Sequence, residues 1–326
     1  MRVAIVGPGA VGGLLGTRLA AAGVATSALA RGETLAALRT KGWRLRNGDE
    51  LVTAPARASA DANELGPQDL VILTLKTHAL SGVAPSIAPL LGPDTIVLTM
   101  MNGVPWWFFQ QLEGPHRGLT LTSVDPGGAI GQAIESRRVI GGVVHVAASR
   151  PEPGLVVQVR VDELIVGEPD HSTSSRVREV GETLAAAGLK TTVSSNIHAD
   201  IWYKLWGNLT INPIAALTGA TADAILDDDL VRALCEDAMA EAQRIGALIG
   251  CPIDETPDDR NAVTRKLGAF RPSMLQDADA GRRLELDALV GAVREIGQIV
   301  GVPTPNINAL LGLTRLSARA RHLGGA

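Results

Sequence analysis

Apolar and polar positions along the chain follow two different periods. At the start, Val3, Ile5 and Val6 form a short β-branched run that predicts a buried parallel strand, and Leu14, Leu15 and Leu19 continue as the apolar face of a helix. Residues 26–30 predict a second strand and residues 34–41 a second helix. The runs at 70–75 (LVILTL) and 95–100 (TIVLTM) are apolar throughout, as in strands covered on both faces of a parallel sheet. Strands alternating with helices predict a doubly wound α/β fold. From 119 to about 167 the pattern becomes Gly-rich and β-branched, and segments 138–148 and 155–161 predict strands that complete the sheet. Beyond Ser172 the period is helical almost throughout: 177–187, 197–210, 230–249, 262–267, 286–300 and 306–318. This half predicts an all-α domain, with the boundary at the turn-forming residues 167–171, giving domains 1–168 and 169–326.

Between the first strand and its helix lies GPGAVGG, residues 7–13, in which Gly7, Gly9 and Gly12 have G-x-G-x-x-G spacing. The first glycine permits a tight turn, the second lets a pyrophosphate approach the backbone, and the third lets the helix pack close to its strand. The helix N-terminal amides then face the anion. Residues Gly7, Pro8, Gly9, Ala10, Val11 and Gly12 are therefore expected to cradle a dinucleotide; the competing possibility is a packing turn without ligand. About twenty residues on, where an acid would hold a ribose 2′-hydroxyl, the sequence reads Ala30-Arg31-Gly32. Arg31 predicts NADP(H) rather than NAD(H), with nearby Glu33 as the counter-indication.

The formal charge of the 326-residue chain is −4, which gives no basic excess for nucleic acid or an acidic membrane, so a small-molecule ligand is expected. No uncharged apolar run approaches the roughly 18 residues of a membrane span. The first strand begins at residue 2, so no leader is expected and a cytoplasmic location is. The six histidines form no ligand pair, and Cys235 and Cys251 read as core thiols, so no metal is expected.

Only five of the thirty basic residues are lysines, so a lysine in an apolar setting calls for a reason. Lys76 follows the strand LVILTL, and Asn102-Gly103 follows the next strand, both at carboxyl ends, where ligands bind in such sheets. A snorkelling lysine and an Asn-Gly turn would look the same. Lys204, Asn208 and Asn212 are spaced four apart in IWYKLWGNLTIN and form one polar stripe on a helix otherwise rich in Trp, Leu and Ile. An ammonium and two amides in such surroundings are costly unless a ligand or a neighbouring domain satisfies them. Burial would lower the lysine pKa toward a range useful for proton transfer. Pro213 places Asn212 at the expected helix end. In RPSMLQD and GRRLELD, Ser273 could cap a helix and Glu285 could pair with Arg282 or face solvent.

Taken together, G-x-G-x-x-G, Lys76, Asn102-Gly103, Lys204-x3-Asn208-x3-Asn212-Pro213, PSMLQD and LELD resemble the ketopantoate reductase (2-dehydropantoate 2-reductase) family along nearly the whole chain. The resemblance implies an N-terminal Rossmann-type domain and a C-terminal all-α domain similar to that of 6-phosphogluconate dehydrogenases. It implies NADPH-dependent reduction of 2-dehydropantoate to (R)-pantoate, on the route to pantothenate and coenzyme A. In that reading Lys204 is the general acid, and Glu285 orients substrate or lysine and borders the cofactor. Ser273, Asn208 and Asn212 grip the substrate, and Lys76 and Asn102 line the nicotinamide side, with Lys76 serving cofactor and substrate alike. Helical domains of this superfamily often mediate dimers, which leaves a homodimer open. One departure is the aromatic run Trp106-Trp107-Phe108-Phe109 behind Asn102. It either packs under the following helix or reshapes the pocket for a bulkier keto acid. A non-catalytic dinucleotide sensor is the reading from another class; it would have no need of Lys204 and Glu285.

Overall fold

The apolar runs of the first half fold into a single ten-stranded sheet. The computed structural model describes residues 1–323, apart from the side chain of Asp162, so residues 324–326 of the predicted second domain lie outside the described residues. In chain order the first half comprises β1 (Arg2–Val6), α1 (Ala10–Ala21), β2 (Ala25–Leu29), α2 (Gly32–Lys41), β3 (Trp43–Asn47), β4 (Glu50–Ala54), β5 (Arg57–Ser59), α3 (Ala62–Leu65), β6 (Gln68–Leu73), α4 (Thr77–Val83), β7 (Leu91–Thr99), α5 (Ala129–Ala133), β8 (Val139–Glu152), β9 (Leu155–Gly167), α6 (Ser175–Ala186) and β10 (Thr191–Ser194). The sheet order is β4-β3-β9-β8-β7-β6-β1-β2-β5, with β10 beside β9. Pairings among β5, β2, β1, β6, β7 and β8 are parallel, and the β8–β9 and β3–β4 pairs are antiparallel. This is the doubly wound core expected, extended on one side by a long hairpin. The β3–β4 hairpin, β5 and β10 were not anticipated.

The chain divides into two compact units, one formed by Met1–Thr120 with Gly127–Asp200 and the other by Leu121–Pro126 with Ile201–Ala326. The division falls after Asp200 instead of near Gly167. The reason is that β10 extends the sheet in register with β9, while Val177, Val180 and Leu184 of α6 bury in the same core as Leu164 and Val166. That core also contains Val3, Ile5, Leu70, Ile72 and Leu98 from the central strands. Each such side chain contributes roughly 1.5–3 kcal/mol by leaving water.

The second unit is helical, with α7 (Ile197–Thr218) starting in the first unit and continuing into it. There follow α8 (Ala222–Asp227), α9 (Asp229–Leu248), α10 (Pro257–Arg265), α11 (Ser273–Asp279), a π-turn at Asp287–Gly291 leading into α12 (Ala292–Ile299), and α13 (Pro305–Ala320). Two carboxylates pin it together. Buried Glu241 on α9 accepts from the amides of Asn306 (2.9 Å) and Ile307 (3.0 Å), capping the uncapped N-terminus of α13. Glu295 on α12 accepts from the amides of Thr122 (2.7 Å) and Ser123 (2.8 Å), which assigns the short segment 121–126 to this unit. No helix among the described residues is long and apolar enough to cross a membrane.

Candidate active site

The glycine turn adopts the geometry that anion binding requires. Gly7 has φ +82°, and a Cβ there would collide with the Leu75 side chain. The Gly9 amide donates to the Gly7 carbonyl at 2.7 Å, closing the turn, and Thr74 Oγ1 donates to the same carbonyl at 2.8 Å. At Gly12 a Cβ would strike Thr74 Oγ1 and lie 2.9 Å from the Gly7 carbonyl, so the helix sits as close as its backbone allows. Gly9 differs: a Cβ there would meet nothing nearer than 3.9 Å. The space on the Gly9 side of the turn is therefore open. Behind it, α1 begins with no side-chain cap and no acid in its first turn, leaving its first amides for an anion.

Arg31 is the exposed N-cap residue of α2, and its guanidinium makes no ion pair among the described residues. Glu33 is exposed in the following turn. Lys76 is the N-cap residue of α4, and Asn102 follows β7; both are half-buried. Thr77 Oγ1 donates to the Asn102 carbonyl at 3.5 Å, so the two loops meet. Glycine turn, Lys76 loop and Asn102 loop thus occupy the carboxyl ends of the adjacent strands β1, β6 and β7.

The aromatic run packs into the interior of the first unit. Trp106, Trp107, Phe108 and Phe109 are at most 3% exposed. Trp107 Nε1 donates to Thr99 Oγ1 at 3.1 Å, and its ring lies edge-on to His198 at 5.6 Å. His198 Nε2 lies 2.7 Å from the Phe108 carbonyl, which can only accept, and His198 Nδ1 lies 2.9 Å from His171 Nε2. Burial pulls the His198 pKa down to about 4, so the ring is neutral at pH 7 and anchors the run as a plain hydrogen-bond donor.

In the second unit, α7 carries Lys204, Asn208 and Asn212 in one stripe; Lys204 and Asn208 are half-buried and Asn212 is buried. The helix does not end at Asn212 but runs through Pro213 to Thr218. The backbone bond lost at Pro213 is offset by packing of Ile214 and Ala215 with Ile225, Leu226 and Leu275. Burial pulls the Lys204 pKa from 10.5 down to about 8, and the Glu285 carboxylate opposes that shift by favouring the ammonium. Glu285 is itself buried, immediately before the π-turn.

Two readings of the α11 region are corrected. Ser273 does not cap α11, whose N-cap residue is Pro272, so its exposed hydroxyl remains available for a ligand. Glu285 is not held by Arg282: Arg282 Nε donates to buried Asp277 Oδ1 at 2.9 Å, and its amide donates to the Asp277 carbonyl at 2.8 Å. This double tie fixes the loop that delivers Glu285, a role missed in the sequence although Asp277 is the acidic residue of PSMLQD. Burial raises the Cys235 and Cys251 thiols to about 11 and about 12, so both are inert core groups.

Chemically, the first unit offers an uncapped helix start behind an open glycine turn, and an exposed guanidinium without an ion pair among the described residues. The second offers a part-desolvated ammonium, an adjacent carboxylate and two amides. The sequence profile of the family described as "Ketopantoate reductase PanE/ApbA" matches residues 3–112, and that of "Ketopantoate reductase PanE/ApbA C terminal" matches residues 196–318. The 2-dehydropantoate 2-reductase of Mesorhizobium japonicum is 47% identical over 98% of this chain and 99% of its own. A solved structure from Ralstonia solanacearum MolK2, whose own assignment as a ketopantoate reductase is provisional, superposes with a TM-score of 0.96 at 53% identity over 99% of both chains. That of 2-dehydropantoate 2-reductase from Geobacter metallireducens GS-15 gives 0.85 at 28% identity over 97% of this chain and 100% of its own.

Proposed function

Because the chain belongs to the ketopantoate reductase PanE/ApbA family and is an oxidoreductase acting on a CH–OH group, we propose that it reduces 2-dehydropantoate to (R)-pantoate with NADPH. In this reading the first unit binds the nucleotide and the second handles substrate. The open space on the Gly9 side of the turn, the uncapped start of α1 and the unpaired Arg31 fit a pyrophosphate and an adenosine 2′-phosphate. When bound, NADPH supplies the hydride.

The observation that carries the reading is Lys204. Hydride arrival at the 2-keto carbon turns the C=O π pair into an alkoxide, which takes the proton of the Lys204 ammonium and becomes the product hydroxyl. An ammonium with a pKa of about 8 is charged at neutral pH yet gives up its proton far more readily than an exposed lysine. Its charge also stabilises the developing oxyanion without reorganisation. Glu285 keeps the ammonium protonated before the transfer. Asn208 and Asn212 on the same stripe, with the Ser273 hydroxyl, supply donors for the substrate's carboxylate and hydroxyl. Lys76 and Asn102 border the nicotinamide.

Substituting Lys204→Ala tests the assignment. General acids contribute typically 10²- to 10⁴-fold, so kcat falls by about that factor while the dissociation constant for NADPH stays near wild type. Unchanged kcat would remove Lys204 from the chemistry.

A further inference from the structure

The β8–β9 hairpin runs well past its pairing with β7 to reach β3, and its turn lies against α2. At the turn, Gly154 has φ +72°, and a Cβ there would lie 2.8 Å from the Ala37 Cβ of α2. Arg44 on β3 also holds this turn, donating to Glu152 Oε1 at 2.8 Å and to the Pro153 carbonyl at 3.0 Å. The tip is thereby pinned, and it carries Arg150. Arg150 Nη1 donates to Thr34 Oγ1, in the first turn of α2, at 2.7 Å. Arg150 also lines one small cavity with Pro8 and Gly13 of the glycine turn. It is exposed and has no carboxylate partner among the described residues.

Charge bookkeeping at this corner shows why a second cation matters. Arg31 and Glu33 flank the start of α2 with opposite charges, so Arg31 alone leaves the corner close to neutral. A dianionic phosphate is poorly served by a neutral corner. Arg150 makes it positive and adds a second planar fork of donors of the kind that phosphate oxygens accept from.

Resting on the NADPH reading above, we propose that Arg150 is a second determinant of cofactor choice: it acts with Arg31 on the adenosine 2′-phosphate and offsets Glu33. The fork of Arg150 keeps donors beyond the one given to Thr34, and Thr34 holds it at the first turn of α2, which follows the end of β2 where this sheet topology reads the ribose substituent.

The test is equilibrium binding by calorimetry of adenosine 2′,5′-bisphosphate and of 5′-AMP to the full chain, in wild type, R150Q, R150K and R31Q. Wild type should favour the bisphosphate at least tenfold. R150Q should narrow that preference about five- to tenfold with AMP affinity unchanged, R150K should retain most of it, and R31Q should narrow it too. The preference should also weaken with salt. An R150Q preference equal to wild type, with R31Q reduced, would overturn the role of Arg150 and leave the NADPH reading standing. No wild-type preference for the bisphosphate would overturn both. Equal losses of AMP and bisphosphate affinity in R150Q would reduce Arg150 to a prop for the hairpin, and so also overturn the proposal.

Discussion

Replacing Glu285 by Gln separates the electrostatics of the site from its shape, because the amide keeps the volume and removes the charge. In wild type, burial has pulled Lys204 from 10.5 to about 8, a penalty on the ammonium of about 3 kcal/mol, and Glu285 is the charge that limits the fall. As the proposed general acid, Lys204 can donate its proton only while charged. The rate of ketone reduction should therefore hold a plateau below about pH 8 and fall about tenfold per pH unit above it. An opposite charge at close range shifts a pKa by one unit or more. Removing it should move the alkaline limb of the E285Q profile down by about one pH unit. At pH 8, where about half of wild-type Lys204 is charged, titration alone then costs roughly fivefold; at pH 6 it costs about a tenth of the rate. A further, pH-independent loss would report contacts of Glu285 with substrate. The assay is kcat/KM from pH 5.5 to 9.5 by NADPH absorbance in both proteins. An E285Q limb that stays where wild type has it would refute the electrostatic coupling, whatever the size of the overall loss.

Other predictions follow from the packing. Gly9→Ala should weaken nucleotide binding more than tenfold while leaving Tm nearly unchanged, because its Cβ enters the open space proposed for the pyrophosphate and touches nothing else. Gly12→Ala should lower stability by about 1–3 kcal/mol in chemical denaturation, because its Cβ meets Thr74 and the Gly7 carbonyl. Trp107→Ala should cost about 3–5 kcal/mol of stability without redirecting substrate preference; a stable variant with a changed keto-acid profile would return the aromatic run to the pocket.

What could be read from the sequence was what backbone and burial dictate locally. Gly7 and Gly12 are glycines because the turn and the strand contact exclude a Cβ, and LVILTL and TIVLTM are apolar because helices cover both faces of the sheet. Features set by tertiary contact were not legible. Pro213 reads as a helix end, yet the packing of Ile214 and Ala215 carries α7 past it. The turn residues near Gly167 read as a boundary, yet β10 and α6 belong to the sheet beyond them. Lys204, Asn208 and Asn212 declared themselves by spacing on an apolar helix. Ser273 and Glu285 did not, because a serine and a glutamate beside loops have many uses; only the resemblance of PSMLQD and LELD singled them out. Arg150 gave no signal, since it comes near α2 only through the hairpin.

The most direct test of the account is NADPH oxidation by the purified chain with 2-dehydropantoate, alongside NADH and a panel of other 2-keto acids. Saturable turnover of 2-dehydropantoate, with NADPH strongly preferred, is the result that the proposed chemistry requires. Turnover of a different keto acid alone, or equal use of NADH, would contradict it.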